Sequence, residues 1–377
     1  MPFPECVPQL TDGVVRLRAH RTDDLDAILQ QCTDPQMQRW TTVPRGYTRT
    51  HAQDYLHSIE WDWNAGAGRQ AWAIEWQDGS DGPRFAGTID LIPSGVPGVS
   101  TIGYGLHPSA RGHALMHRAL RLVARHFFEG GGRRIRWFAE RGNLASWRVA
   151  WACGFTWHAT LPSWLPNADG EVVDAYVASL GAEDPMSART AWYDPPVLCA
   201  DGIRLRPWRD EDTAVAQAHD HPPHFLPAQA VPTPDTFEGW LLRRRELMSR
   251  GCSINWCIAD AASDTPLGEV LVFTRGGTLT DGDTAQFGYF LAPSARGAGV
   301  TLRAARLACA YALTPAPRGL GLRRLVAETA TDNVASNTVL ERTGLTRWGH
   351  EDLAAAPDGS VGPADHWELL LSEPPAR

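Results

Sequence analysis

The chain has 377 residues, 43% of them apolar and 21% charged, which is typical of soluble globular proteins and long enough for two or three domains. A formal net charge of −8 argues against nucleic acid as a partner, and no apolar run approaches the roughly 18 residues of a membrane span. The start, MPFPECVPQL, lacks the pattern of a secretory signal, so a cytoplasmic location is expected. Seven scattered cysteines without a CxxC pair predict reduced thiols.

The predicted elements of the first half alternate between strands and helices. An alternating strand at 14–20 leads through two aspartates into a helical stretch at 23–32, and two further strands precede a third that ends in GYGL. The elements after GYGL are, in chain order, a long helix at 112–129, a strand at 134–140, a short helix at 144–153 and a final strand. This pattern predicts an α/β (α+β) domain with a mixed, mostly antiparallel sheet flanked by helices.

The same blocks occur a second time in the same order. DGVVRLRAHRTDD, from Asp12, matches DGIRLRPWRDED, from Asp201, and HPSARGHALMHRAL, from His107, matches APSARGAGVTLRAA, from Ala292. Six blocks recur at offsets of about 180 to 190 residues, a period too long for a solenoid. The sequence therefore predicts a duplicated domain, at 1–181 and 198–377, with a proline-containing linker at 182–197.

Each copy of PSARG joins a strand to a helix through a turn rich in small residues. The first amides of a helix lack intrahelical partners and carry partial positive charge, and glycines let the backbone close around a pyrophosphate. The turn lacks both the GK[ST] of a Walker A loop and the GxGxxG of a Rossmann fold. The candidate phosphate-binding residues are Arg111, Gly112, His113 and Ala114 in the first half and Arg296, Gly297, Ala298 and Gly299 in the second.

The segments GYGLHPSARGHALMHRALRLVARHFF and NLASWRVAWACGF resemble motifs A and B of the GNAT acyltransferases, in particular of their RimJ/RimL-like branch. GYFLAPSARGAGV and NVASNTVLERTGL repeat the pattern, so the resemblance covers nearly all of both halves. It implies two tandem GNAT domains that use acetyl-CoA or another acyl-CoA as co-substrate, without a metal. It places the pantetheine arm between the strand before the loop and the strand after the helix, in contact with Asn143 and Asn333.

Direct transfer from a thioester to an amine needs a proton acceptor, a donor for the oxyanion and a proton for the leaving thiolate. The tyrosine that some GNAT enzymes use as the acid is replaced here by Ala150 and Leu340. The resemblance to RimL-like enzymes points instead to Ser146 and Ser336 as acids. The alternative for both serines is a capping role at the start of a short helix.

The same resemblance places Glu171 where the family has a candidate carboxylate base, with an exposed hairpin residue as the alternative. Ser360 occupies the matching position in the second half, and Asp365 aligns with Asp174 as a further candidate. The first half thus has the better base and a G-x-A loop, whereas the second has a G-x-G loop and no glutamate. Which half is catalytic stays open at this point.

Three histidines stand close together in HDHPPHF, at His219, His221 and His224. Such spacing is compatible with metal binding, but no Cys, Asp or Glu set completes a site. The segment follows the region of the first helix, where GNAT enzymes build the acceptor pocket. Contact with the substrate is therefore the preferred interpretation.

The resulting hypothesis is an acyltransferase of the EC 2.3.1 type that acetylates a small-molecule amine by direct attack in a ternary complex with acyl-CoA. Three alternatives remain. The acyl group could come from a phosphopantetheinyl acyl carrier protein, the acceptor could be a protein N-terminus, or the chain could be an inactive acyl-CoA-binding scaffold. Neither nucleic acid nor a membrane is expected as a partner.

Overall fold

A computed structural model describes residues 1–66, 68–77 and 82–371 of the chain. The chain divides into two compact units, Met1–Arg189 and Thr190–Arg377. Residues 182–197, the expected linker, contain no helix or strand, and the division between the units falls among them. Within the described ranges, no helix has both the length and the apolar character needed to cross a bilayer.

The first unit follows the predicted order of strands and helices and adds two helices after the first one. Its strands, among the residues described, are β1 (Leu10–Thr11), β2 (Val15–Arg18), β3 (Gln70–Gln77), β4 (Pro83–Pro93), β5 (Val99–Leu106), β6 (Arg134–Glu140), β7 (Thr156–Pro166) and β8 (Val172–Gly181). Its α-helices are α1 (Leu25–Thr33), α2 (Pro35–Trp40), α3 (Arg49–Ala65), α4 (Leu115–Glu129) and α5 (Leu144–Ala152).

The second unit repeats this order with a reduced first helical region. Its strands in the described part of the chain are β9 (Leu198–Ala200), β10 (Ile203–Arg206), β11 (Ser253–Asp260), β12 (Pro266–Phe273), β13 (Thr284–Leu291), β14 (Arg324–Ala330), β15 (Thr346–Ala355) and β16 (Val361–Leu370). Its α-helices are α6 (Phe237–Ser249), α7 (Val300–Leu313) and α8 (Val334–Thr343). Where the first unit has α1 and α2, the second has short 3-10 turns in a segment containing several prolines.

Each unit is built on a mixed sheet, and the described residues supply eight strands to each. The strand order is β1-β2-β3-β4-β5-β6-β8-β7 in the first unit and the equivalent β9-β10-β11-β12-β13-β14-β16-β15 in the second. One pair in each sheet is parallel, β5 with β6 and β13 with β14, and the other described pairs are antiparallel. The predicted mixed, mostly antiparallel α/β fold is therefore confirmed.

The helix that connects each parallel pair packs an apolar face on its sheet. In α4 the residues Leu115, Ala119, Leu122 and Val123 recur at helical spacing and are buried. In α7 the buried face consists largely of alanines, which brings the helix close to the sheet. Burying one Leu or Val side chain contributes about 1.5–3 kcal/mol, so these faces hold each connecting helix in place.

Two details of the predicted elements are wrong. The long helix of the first half begins at Leu115, not at residue 112, and its counterpart begins at Val300. Ala114 and Gly299, just before them, have left-handed backbone conformations that a helix cannot include. The predicted single final strand is a hairpin, formed by β7 and β8 in the first unit and by β15 and β16 in the second.

A buried arginine network repeats at the start of both units. Arg18 donates to both carboxylate oxygens of Asp24 at 2.8 Å and to Glu75 at 2.6 Å. Arg206 donates in the same way to Asp212 at 2.8 Å, with Asp264 as its second partner at 2.9 Å. These pairs fix the turn that follows β2 in the first unit and β10 in the second. They explain why RLR and an aspartate six residues after its last arginine occur in both halves.

Replacing Asp24 by Ala should lower the free energy of unfolding by an amount on the order of 3 kcal/mol, because it leaves the buried Arg18 with one partner fewer. The neighbouring Asp23 is exposed, so Asp23→Ala should change stability by less than about 0.5 kcal/mol. Urea unfolding followed by tryptophan fluorescence measures both. Equal losses in the two variants would contradict the importance of the network.

Candidate active site

The repeated turn surrounds open space at the N-terminus of α4 and of α7. Gly112 and Ala114 have φ angles of 81° and 58°, and Gly297 and Gly299 have 82° and 68°, so the two loops share one conformation. A Cβ built on any of the three glycines would meet no atom within 4 Å. Among the described residues, no hydrogen bond uses the amides of 112–114 or 297–299. Together with the first amides of each helix, these groups form a cradle of donors suited to a phosphate.

The loop arginines are already paired. Arg111 forms an ion pair with Asp34, whose pKa it lowers, and Arg296 pairs in the same way with Asp220. Asp34 also accepts the amides of two residues at the start of α2. A phosphate bound at either loop would therefore share the guanidinium of Arg111 or Arg296 with the aspartate that already pairs with it. The ring of His113 packs on Trp76, with ring centroids 4.5 Å apart.

The parallel strands beside each loop are paired over a short distance and then separate. In the first unit the register runs from Val99–Arg134 to Thr101–Arg136, and in the second from Thr284–Arg324 to Gln286–Val326. Beyond these residues the main chains of β5 and β6 no longer form hydrogen bonds with each other, and the same holds for β13 and β14. This gap, which we call the splay, matches the place where the sequence predicts a pantetheine arm.

A tyrosine and a serine face each other across each splay. The hydroxyl of Tyr104 donates to the Ser146 carbonyl at 2.9 Å and accepts from the Ser146 hydroxyl at 3.2 Å. In the second unit the hydroxyls of Tyr289 and Ser336 lie 2.7 Å apart. Burial raises the pKa of both tyrosines, so they are neutral hydroxyl groups at ordinary pH. Both serine hydroxyls therefore lie against a tyrosine of the strand that borders the splay.

Asn143 and Asn333 have a local structural role as helix caps. The side-chain oxygen of each accepts the amide of the serine three residues later, at 3.1 Å. The capping function expected as the alternative for the serines is thus performed by the asparagines. The amide nitrogens of both side chains have no hydrogen-bond partner among the described residues, which leaves them available to an arm in the splay.

Glu171 lies in the exposed turn of the β7–β8 hairpin. Its carboxylate accepts from the side chain of Asn167 at 3.1 Å, and its own amide donates back to Asn167. Ser360 occupies the matching turn of the second unit, as the sequence predicted. Neither residue lines the described cavities, so the hairpin does not bring Glu171 together with the other candidates.

The expected alignment of Asp365 with Asp174 is wrong by two residues. Gly181 pairs with Arg134 as Leu370 pairs with Arg324, so Asp365 corresponds to Tyr176. Sequence comparison missed this because the residues of this block can be matched without the strand register, which only the structure supplies.

Asp365 is buried and pairs with His350, 2.8 Å away. Burial acts to raise the pKa of Asp365, but the bond to His350 and the charge of Arg347 outweigh it and lower that pKa. Asp365 is therefore a partner of its own hairpin and does not line either cavity described below.

A cavity of about 550 Å³ in the second unit joins the loop to the splay. Its lining includes Gly297 and Gly299 from the loop, Tyr289 and Ser336 beside the splay, and His219. Burial lowers the pKa of His219, so its imidazole is neutral at ordinary pH. The described residues contain no group of three or more His, Cys, Asp or Glu side chains that could hold a metal ion.

A cavity of about 580 Å³ in the first unit opens on β5 at Gly103, Tyr104 and Gly105. It lies beneath α1, α2 and α3, and its floor carries Asp90, a residue that the sequence reasoning missed. The available signal was a single carboxylate within the otherwise apolar strand FAGTIDLI, immediately before the GYGL strand. A carboxylate in such a strand is costly unless a partner or a ligand compensates it.

Ala114→Gly and Gly299→Ala should change stability in opposite directions. An alanine with left-handed φ is strained by roughly 1–2 kcal/mol, while a glycine adds about 0.4–1 kcal/mol of entropy to the unfolded chain. Ala114→Gly should therefore raise the free energy of unfolding by about 0.5 kcal/mol, and Gly299→Ala should lower it by about the same amount. Equilibrium urea unfolding measures both, and changes of the same sign would contradict the shared loop conformation.

The sequence matches the family model described as "Acetyltransferase (GNAT) domain" twice, over residues 15–156 and 203–346. The matched ranges contain both loops, both splays and both serine–tyrosine pairs. A comparison with curated proteins gives no match.

Several solved structures are similar to one half of the chain. An acetyltransferase from T. thermophilus is 25% identical, covering 49% of this chain and 93% of its own, with a TM-score of 0.41. Mycobacterium smegmatis RimJ, in complex with CoA-disulfide, is 23% identical, covering 47% and 87%, with a TM-score of 0.40. The Microcin C7 self immunity acetyltransferase MccE, in complex with acetyl-CoA and AMP, is 15% identical, covering 45% and 93%, with a TM-score of 0.40.

Proposed function

Because the chain belongs to the GNAT acetyltransferase family, which both halves match, we propose that it transfers an acyl group, most simply acetyl, from acyl-CoA to the amine of a small molecule. The reaction proceeds by direct attack of the amine on the thioester in a ternary complex. No covalent acyl-enzyme is required, because both reactants bind on opposite sides of one splay.

The residues of both loops fit an acyl-CoA. The unpartnered amides and the open space above the glycines suit a pyrophosphate, and the N-terminus of the following helix adds partial positive charge. The unpaired edges of the splay suit the amide groups of a pantetheine arm. When bound, the acyl-CoA supplies the activated carbonyl, and the chain's own residues position the amine and manage protons.

The single observation that favours a small-molecule acceptor is the enclosed space beside the splay. The cavity of the first unit holds about 580 Å³, within the range of about 300–1,000 Å³ typical of small-ligand sites. In the first unit α1, α2 and α3 cover this space. An amine of small-molecule size would be surrounded there, which supports the proposal over a protein terminus.

The proposal is tested with the full chain, acetyl-CoA and a panel of acceptors, by measuring thiol release. The panel contains aliphatic amines, arylamines, a peptide with a free N-terminus, and separately an acyl carrier protein loaded with an acetyl group. We expect release with small amines and acetyl-CoA.

Each other result overturns a defined part of the proposal. Release only from the loaded carrier protein would replace acyl-CoA as the donor, and release only with the peptide would replace the small-molecule acceptor. Binding of acetyl-CoA without release across the whole panel would identify an inactive scaffold.

Ser146 is the proposed proton donor to the leaving thiolate in the first unit, with Ser336 as its counterpart. Ser146→Ala should lower kcat by about 100-fold, the lower range for loss of a general acid. Tyr104→Phe keeps the Ser146 hydroxyl and its bond from Trp137, so it should reduce kcat much less. Steady-state kinetics of both variants make the comparison, with Ser336→Ala as the matched change in the second unit. A larger loss of kcat in Tyr104→Phe than in Ser146→Ala would identify the tyrosine as the proton donor instead.

A further inference from the structure

We propose that Asp90 accepts the proton that the amine releases, and that the first unit acylates an amine that is positively charged in solution. This inference rests on the proposed function and adds to it a catalytic residue, a half of the chain and a substrate class.

Asp90 lies beside the point where the splay opens. It is directly opposite Gly103 in the register of β4 and β5, and Gly103 is two residues beyond the last residue that β5 pairs with β6. A Cβ on Gly103 would lie 2.3 Å from the Asp90 Oδ1 atom. The carboxylate therefore lies over β5 beside the opening of the splay, and a residue larger than glycine at position 103 would displace it.

The surroundings of Asp90 favour proton uptake. Its side chain is 14% exposed, and the nearest cation, Arg69, is 3.8 Å away. Arg69 is shared with Asp62, at 3.7 Å, and donates to Ser58. Burial raises the pKa of Asp90, and the charge of Arg69 and the Gly103 amide offset this only in part. The group is thus a stronger base than an exposed aspartate.

The remaining cavity wall is compatible with a cationic amine. The other titratable side chains contributed to it by α1, α3 and the segments beside them are Cys32, Tyr47, His51, Asp54, Tyr55 and Arg69. The ring of Tyr55 already lies under the Arg69 guanidinium, 5.2 Å from its centroid, which leaves Tyr47 as the tyrosine available to a cation. Asp54 is exposed at the cavity and adds negative charge. Arg69 approaches Asp90 only to 3.8 Å, beyond hydrogen-bond distance, and is shared with Asp62 and Ser58, so it offsets the charge of Asp90 only in part.

The second unit differs at each of the matching positions. Leu271 is opposite Gly288, so it replaces Asp90, and Phe290 replaces Gly105. Glu269 replaces Thr88, but it is fully buried in a bidentate pair with Arg244, at 2.8 and 2.9 Å. The carboxylate that β12 does carry is therefore neutralised by a neighbour. Acyl transfer that uses an aspartate as the base is therefore assigned to the first unit.

Proton transfer to Asp90 precedes the exchange of a C–S bond for a C–N bond. The ammonium form of the substrate gives one proton to Asp90, and the lone pair set free on nitrogen forms a C–N bond with the thioester carbonyl carbon. The C–S bond breaks, and sulfur leaves with the bonding electron pair. Ser146 gives its proton to the sulfur, and the second proton lost by nitrogen restores the Ser146 hydroxyl. The first proton then leaves Asp90 for solvent through the cavity, so one proton is released overall.

The test compares Asp90→Asn with the wild-type full chain, using acetyl-CoA and an aliphatic amine accepted in the panel. We expect kcat to fall about 100-fold or more, with the KM for acetyl-CoA unchanged within about twofold. In the wild type, kcat/KM should rise with pH as Asp90 loses its proton, and this acidic limb should be absent from Asp90→Asn. With an arylamine, which is uncharged at neutral pH, the loss should be smaller.

Gly103→Ala is a second variant that displaces the same carboxylate without removing it, and it should lower kcat in the same direction. It keeps the test informative if Asp90→Asn folds poorly, which thermal unfolding and CoA binding would reveal. Asp23→Asn, on the exposed surface, is the neutral control.

Failure of the inference is distinguishable from failure of the proposed function. If the wild type transfers acetyl groups and Asp90→Asn keeps both its kcat and its acidic limb, the inference is wrong and the function stands. A raised KM for the amine alone would reduce Asp90 to a binding residue and overturn its role as base. A loss in Glu171→Gln with full activity in Asp90→Asn would return that role to the hairpin. If the wild type transfers nothing, the proposed function itself fails.

Discussion

Each unit depends on one constraint, which is that its two central parallel strands pair over three residues and then part. A sheet that continued to pair would be more stable locally, because every unpaired main-chain group in a buried position costs free energy. Side chains link the two sides where the strands part. Tyr104 on β5 reaches Ser146 on α5, and Tyr289 on β13 reaches Ser336 on α8 in the same way. These links join the two motifs that the sequence repeats in each half.

The two units keep this frame and differ in what surrounds it. In the first, Trp137, Trp147, Trp157 and Tyr176 form a chain of ring contacts below the splay. The strand register and the helix caps place Ala327, Asn337, Arg347 and Asp365 at the corresponding positions of the second. Apolar ring packing has been exchanged for hydrogen bonds and ion pairs on one scaffold. Duplication has preserved the backbone of the site more strictly than its side chains.

The sequence was sufficient to predict the fold because the duplication, the strand periods and the PSARG turn all concern the backbone. The turn was identified correctly even with Ala114 in place of a glycine. The site was predicted less well. Asp90 can be recognised as a candidate base only when β4 is placed beside Gly103 of β5. No local sequence pattern encodes this contact between two strands. The misalignment of Asp365 by two residues has the same origin, since the register of the hairpin is set by pairing between strands.

The pairing of Arg111 with Asp34 couples the two ends of the site. Asp34 caps α2, and Met37 of that helix lines the cavity beside Gly105. Phosphates at the loop compete with Asp34 for the guanidinium, so their arrival changes the electrostatic support of a helix that covers the acceptor. Linkage makes such an influence reciprocal, and an acceptor that favours one position of α2 alters the affinity for the donor by the same factor. Through this ion pair, donor and acceptor binding in the first unit would become interdependent.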